Sequence, residues 1–170
     1  MKKAIILSAL ILLLVAGCAR NYTWVIKSDP PERIISNDLY SIKLNLSPPD
    51  RYSYKSFELV IVNKTSKDIE LIWDKTLYIC GGQTSGGFTY EGVIYKDRNM
   101  PKQSDVIFAN GTFNKTIFPS NFISFRGQYG WYSDYMPNGE NGVYLTLKIN
   151  GEEYHEKLLL DILTDYVKNN

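Results

Sequence analysis

The residue types best suited to contact or chemistry are concentrated in one stretch of this chain. Phe125-Arg126-Gly127-Gln128-Tyr129-Gly130-Trp131-Tyr132-Ser133-Asp134-Tyr135-Met136 places five aromatic rings and an arginine among glycines. Tyr, Trp and Arg supply large contact areas with few rotors and carry much of the energy of protein interfaces. Arg126, Tyr129, Trp131, Tyr132 and Tyr135 are therefore candidate partner-binding residues, suited to a peptide or a glycan. The competing expectation is that Phe125, Trp131 and Tyr135 fill a core between sheets.

Few other residues are placed for chemistry. The one histidine, His155, lies between Tyr154 and Glu156 on a strand-like run and reads as exposed. No Gly-x-Ser-x-Gly elbow offers it a serine nucleophile, and no two histidines or cysteines stand at metal-ligand spacing. Gly81-Gly82-Gln83-Thr84-Ser85-Gly86-Gly87 lacks the Lys-Ser/Thr and following helix that a phosphate loop requires, so a mobile loop is expected there. The acids Asp134, Glu140, Glu152, Glu153 and Glu156 do not follow calcium-loop spacing. A hydrolase using clustered carboxylates is the alternative to a non-catalytic chain. No metal and no cofactor is implied.

The amino end carries targeting chemistry. Lys2 and Lys3 precede an apolar run from Ala4 to Val15 broken only by Ser8. The run is about a dozen residues, short of the roughly 20 that a helix needs to cross a bilayer, and has the form of an export signal. It ends in Leu14-Val15-Ala16-Gly17-Cys18, which resembles the lipobox of bacterial lipoprotein precursors. That resemblance implies cleavage before Cys18 and a diacylglyceryl group on its sulfur, with fatty acyl chains anchoring the mature chain to a membrane. Ala19 stands where Gram-negative inner-membrane lipoproteins carry Asp, so the outer membrane, on its periplasmic face, is the expected address.

Removing residues 1–17 leaves 153 residues with 17 basic and 18 acidic side chains, a net charge of −1. That balance offers no electrostatic footprint for nucleic acid. With Cys18 lipidated, Cys80 is the only other cysteine; no intrachain disulfide can form, and a buried, inert thiol is expected.

The elements that must position these residues read as strands. Runs rich in Val, Ile, Tyr, Phe and Thr recur between Gly, Pro, Asn and Asp punctuation, which predicts an antiparallel sandwich or barrel. Tyr40–Leu46 alternates with Ile42, Leu44 and Leu46 on one face. Phe57–Val62 is apolar on both faces, as a central strand requires. Residues 63–68 are predicted to turn it into a hairpin with Ile69–Trp73. Asp105–Ala109 and Thr112–Phe118 predict a second hairpin about Asn110-Gly111, and short strands are expected at 22–27, 88–90, 93–95, 122–126 and 131–135. Val143, Leu145, Leu147 and Ile149 alternate before Asn150-Gly151, the dipeptide favoured by a type I′ turn. The return strand is expected to about Leu160, with a helical end over 158–167 as its rival. Five Asn-x-Ser/Thr triplets, beginning at Asn21, Asn45, Asn63, Asn110 and Asn114, read as turn chemistry.

Asn63, Ile69-Glu70-Leu71-Ile72-Trp73-Asp74, Tyr90-Glu91-Gly92, Pro101 and Phe118-Pro119 resemble elements of small bacterial envelope lipoproteins with immunoglobulin-like domains. The resemblance covers about a third of the mature chain and brings no activity with it; the chain departs from the pattern by inserting the aromatic segment 125–136 before the last hairpin. The expectation is thus a signal peptide over 1–17, a lipidated tether or edge strand over 18–37, an all-β antiparallel immunoglobulin-like β-sandwich of seven to nine strands over 38–165, and a tail over 166–170. Its function is expected to be a non-catalytic binding or assembly-accessory module contacting an envelope protein or glycan. A purely structural surface component is a further alternative.

Overall fold

The computed structural model describes residues 22–50 and 52–168. The expected export signal and Cys18 lie outside them. Of the described residues, 22–25 and 164–168 form one compact unit, and those within 26–163 form a second. The described chain is built from strands and short 3₁₀ turns, with no α-helix among the described residues.

In chain order the strands are β1 (Tyr22–Asp29), β2 (Glu32–Ser36), β3 (Tyr40–Leu46), β4 (Phe57–Asn63), β5 (Ile69–Leu71), β6 (Leu77–Cys80) and β7 (Gln83–Thr84). They continue with β8 (Phe88–Tyr90), β9 (Asp105–Ile107), β10 (Thr112–Pro119), β11 (Ile123–Phe125), β12 (Trp131–Ser133), β13 (Gly139–Ile149) and β14 (Glu152–Lys168). One sheet has the order β2-β3-β4-β10-β8. The other runs β1-β14-β13-β5-β9, with β6 sharing the β13 edge and carrying β7. β11 and β12 form a separate two-stranded ribbon. The architecture is the all-β antiparallel sandwich that the strand spacing predicts.

Alternation makes the core. Tyr40, Ile42, Leu44 and Leu46 of β3 and Phe57, Leu59 and Ile61 of β4 are buried in one cluster with Val143, Leu145, Leu147 and Ile149 of β13 and Leu158, Leu160 and Ile162 of β14. Each such side chain contributes about 1.5–3 kcal/mol by leaving water. Asn150 (φ 52) and Gly151 (φ 88) turn β13 into β14, with Ile149 opposite Glu152. Fourteen strands appear where seven to nine are expected because edges are shared by short pieces. The 3₁₀ turn Trp73–Lys75 breaks one edge into β5 and β6, both paired to β13.

Both predicted hairpins of the middle chain are instead crossings between sheets. β4 pairs with β3 and β10, whereas β5 pairs with β13 and β9. The two corners lie against each other: Asn63 N donates to Gly111 O (2.9 Å) and Asn110 N to Thr65 O (3.0 Å). The buried Asn63 amide donates to the carbonyls of Lys67 (2.7 Å), Ile107 (3.0 Å) and Phe108 (3.0 Å) and so replaces the ladder bonds that the corner gives up.

Four smaller expectations also change. The glycine-rich segment is an ordered hairpin, with Gly81 (φ 56) and Gly82 (φ 80) as a two-residue turn between β6 and β7. No strand forms at 93–95, and residues 95–97 form a 3₁₀ turn. β14 stays extended through 158–167, because pairing with β13 sets Leu158, Leu160 and Ile162 on alternate positions that enter the core. Cys80 is a free thiol only half-buried at the margin of the core. Of the five Asn triplets, Asn63 and Asn110 sit at corners, Asn45 and Asn114 lie on strands, and Asn21 is outside the described residues.

Candidate functional site: an aromatic ribbon

Glycine shapes the aromatic segment. Gly127 (φ 54) and Gly130 (φ 72) bracket a 3₁₀ turn over Gly127–Tyr129, conformations that side-chain-bearing residues adopt only with strain. Arg126 N donates to Gly130 O at 2.8 Å, closing the ribbon below the turn. The register sets Phe125 opposite Trp131, Ser124 opposite Tyr132 and Ile123 opposite Ser133.

Only one end of the ribbon enters the interior. Ile123 is buried; Asp134 N donates to Phe122 O (2.8 Å) and Met136 N to Tyr54 O (2.9 Å), which fix the ribbon base to its surroundings. At the other end the Phe125 and Trp131 rings pack at 5.3 Å between centroids. Phe125 is 61% exposed and Tyr129, at the tip, 80% exposed. Phe125, Trp131 and Tyr135 therefore do not fill the sandwich core, because Phe125 and Trp131 belong to a sheet of their own and Tyr135 follows it in the chain leaving β12.

The five candidate residues divide into two groups. Arg126, Tyr132 and Tyr135 enter one network with residues that the sequence did not single out. The Arg126 guanidinium lies 4.2 Å from the Tyr132 ring centroid and pairs with Asp134. The Lys55 ammonium lies 4.9 Å from the Tyr132 centroid and 4.6 Å from that of Tyr135. Lys55 also pairs with Asp50 at 2.7 Å, which pushes its ammonium pKa up. Tyr135 donates its hydroxyl to the same carboxylate at 3.2 Å, and Tyr52 meets the Tyr135 ring edge-on. Each exposed cation–π contact contributes about 0.5–1 kcal/mol, so the network holds these rings in fixed orientations. Trp131, by contrast, stands with Phe125 and beneath Arg98, whose guanidinium is 5.1 Å from its centroid. Tyr129 stands at the turn, away from both.

The remaining polar groups of interest are committed to structure. His155 is exposed, stacks on Tyr144 at 5.5 Å, and has Nδ1 3.2 Å from Thr146 Oγ1. That hydroxyl donates to Lys75 O at 2.9 Å, so it meets the imidazole as an acceptor. Glu140 accepts from Gly82 N, Glu153 pairs with Lys75, and Glu156 accepts from the Tyr40 hydroxyl. A cleft of about 440 Å³ opens beside Trp73, Arg98, Lys102 and Asn121. Its Lys102 ammonium, whose pKa burial lowers, donates to the carbonyls of Arg98 (2.6 Å) and Met100 (3.2 Å) and so braces its own loop. Among the described residues no three His, Cys, Asp or Glu side chains converge as metal ligands, and no helix is long and apolar enough to cross a membrane. No protein-family model and no curated protein sequence matches the chain.

Proposed function

We propose that this chain is a lipoprotein of the bacterial cell envelope, anchored through acylated Cys18 and placed at the outer membrane facing the periplasm. Its sandwich acts there as a non-catalytic binding or assembly-accessory module for an envelope protein or glycan. The anchoring half of this reading is supported by the basic, apolar and Leu-Val-Ala-Gly-Cys order of residues 2–18.

One observation carries the binding half. Phe125 and Tyr129 are held in water on a glycine-shaped ribbon whose neighbouring rings are already fixed by cations. Exposed, oriented aromatics of this kind offer contact area at small entropic cost. The ribbon is thus prepared for a partner without reorganisation.

The reading is checked in intact cells with a photo-crosslinking residue at position 129 and, as control, at the exposed Lys157 on β14. Position 129 is expected to yield a discrete adduct that Phe125→Ala reduces at least severalfold, while thermal melting stays unchanged. Equal adducts from both positions, or none from position 129, would count against the ribbon as a contact surface. Mass spectrometry of the mature chain is expected to show a diacylglyceryl-modified Cys18 at the amino end.

A further inference from the structure

In the smaller unit the first residues of β1 and the last of β14 lie on neighbouring strands. The Trp24 and Tyr166 rings meet there at 4.3 Å between centroids, tilted by 53°. Both remain 61% exposed. Val25 and Val167 follow them, are also exposed, and point to the opposite face because strand side chains alternate. This short ribbon therefore presents apolar surface on both sides.

Position along the chain says what covers it. Trp24 is six residues after Cys18. An extended chain advances at most about 3.5 Å per residue, so a lipid on Cys18 holds Trp24 within roughly 20 Å of the membrane surface. Trp and Tyr are the side chains favoured at that surface, where the ring body is apolar and its N–H or O–H stays wet. By the same alternation Asp165 shares the Val167 face, which leaves the Trp24–Tyr166 face without a carboxylate among the described residues of this unit.

We infer that the Trp24–Tyr166 pair docks into the headgroup layer of the membrane that holds the Cys18 lipid, as a second, protein-borne contact beside the acyl chains. The inference rests on the lipid-anchored reading above, and its test separates the two. The processed, full mature chain is reconstituted into phosphatidylcholine vesicles containing brominated acyl chains. Flotation and mass spectrometry report the anchor, and tryptophan fluorescence reports the ribbon. Of the three tryptophans, Trp73 is buried in the core and Trp131 belongs to the aromatic ribbon. Bromolipid-dependent quenching is expected, is lost in Trp24→Phe, and is retained in Trp131→Phe, with both variants melting as the parent does. A lipidated chain that floats without quenching overturns the docking alone, as does quenching that survives Trp24→Phe. A chain that carries no lipid and does not float overturns the anchor and the docking together.

Discussion

Asn63 shows how much one side chain decides in this molecule. Its amide is buried, donates to three carbonyls across two corners, and accepts from Thr65 N at 2.9 Å. Asn63→Ala leaves the buried Ile107 O without this donor, while Lys67 O keeps Thr65 Oγ1 and Phe108 O keeps Gly111 N, and is expected to cost about 1–3 kcal/mol, read as a lower urea midpoint with an unchanged slope. Asn63→Asp is expected to be worse near neutral pH, because a carboxylate has no proton to give the carbonyls. Those oxygens favour the protonated acid, so its folded-state pKa is raised and the variant regains stability as pH falls. A denaturation series from neutral to acid pH checks the sign. In the sequence, this residue stood out as an Asn-x-Thr turn and as one element of a resemblance, neither of which reports the sheet-to-sheet crossing that the turn serves.

At the scale of elements, legibility followed the kind of information that alternation contains. Period-two patterning says which side chains go inward, and so β3, β4, β13 and β14 were recognisable, with Asn150-Gly151 marking their last turn. It does not say which strand lies alongside. β4 and β5 therefore read as a hairpin, although a chain passing from one sheet to the other keeps the same inward pattern. Gly142 carries a second kind of hidden information. A Cβ there would meet Leu158 O at 2.2 Å and a Leu159 methyl at 2.8 Å, so β13 and β14 approach closely only because the side chain is absent. Gly142→Ala is expected to destabilise by about 3 kcal/mol, the upper end for overpacking, because the nearest atom is backbone. Gly130→Ala meets nothing within 4 Å and strains only its own backbone, φ 72 and ψ −150, costing about 1–3 kcal/mol; paired melting curves test the contrast. The aromatic ribbon itself was visible by composition. Its cation Lys55 and acid Asp50 were not, since Asp50 lies 85 residues from its partner Tyr135.

For the molecule as a whole, tyrosine is a structural residue as much as a surface one. Burial, and then a hydrogen bond to Glu156, push the Tyr40 hydroxyl up to about 12, and burial also raises Tyr54, Tyr78 and Tyr90. Because the folded state holds these protons more tightly than the unfolded chain, their contribution is complete below about pH 10 and is lost as pH climbs beyond it. Stability is expected to fall from about pH 10 toward 12, with tyrosinate absorbance developing as the chain unfolds; Tyr40→Phe should flatten that decline. Stability that holds level to pH 12 would contradict the assignment. The ribbon β11–β12 stands apart from this tyrosine-lined interior, since of its strand residues only Ile123 is buried. Its outward residues can thus be exchanged at little thermodynamic cost, so the surface assigned to the proposed contact is free to vary without renegotiating how the chain folds.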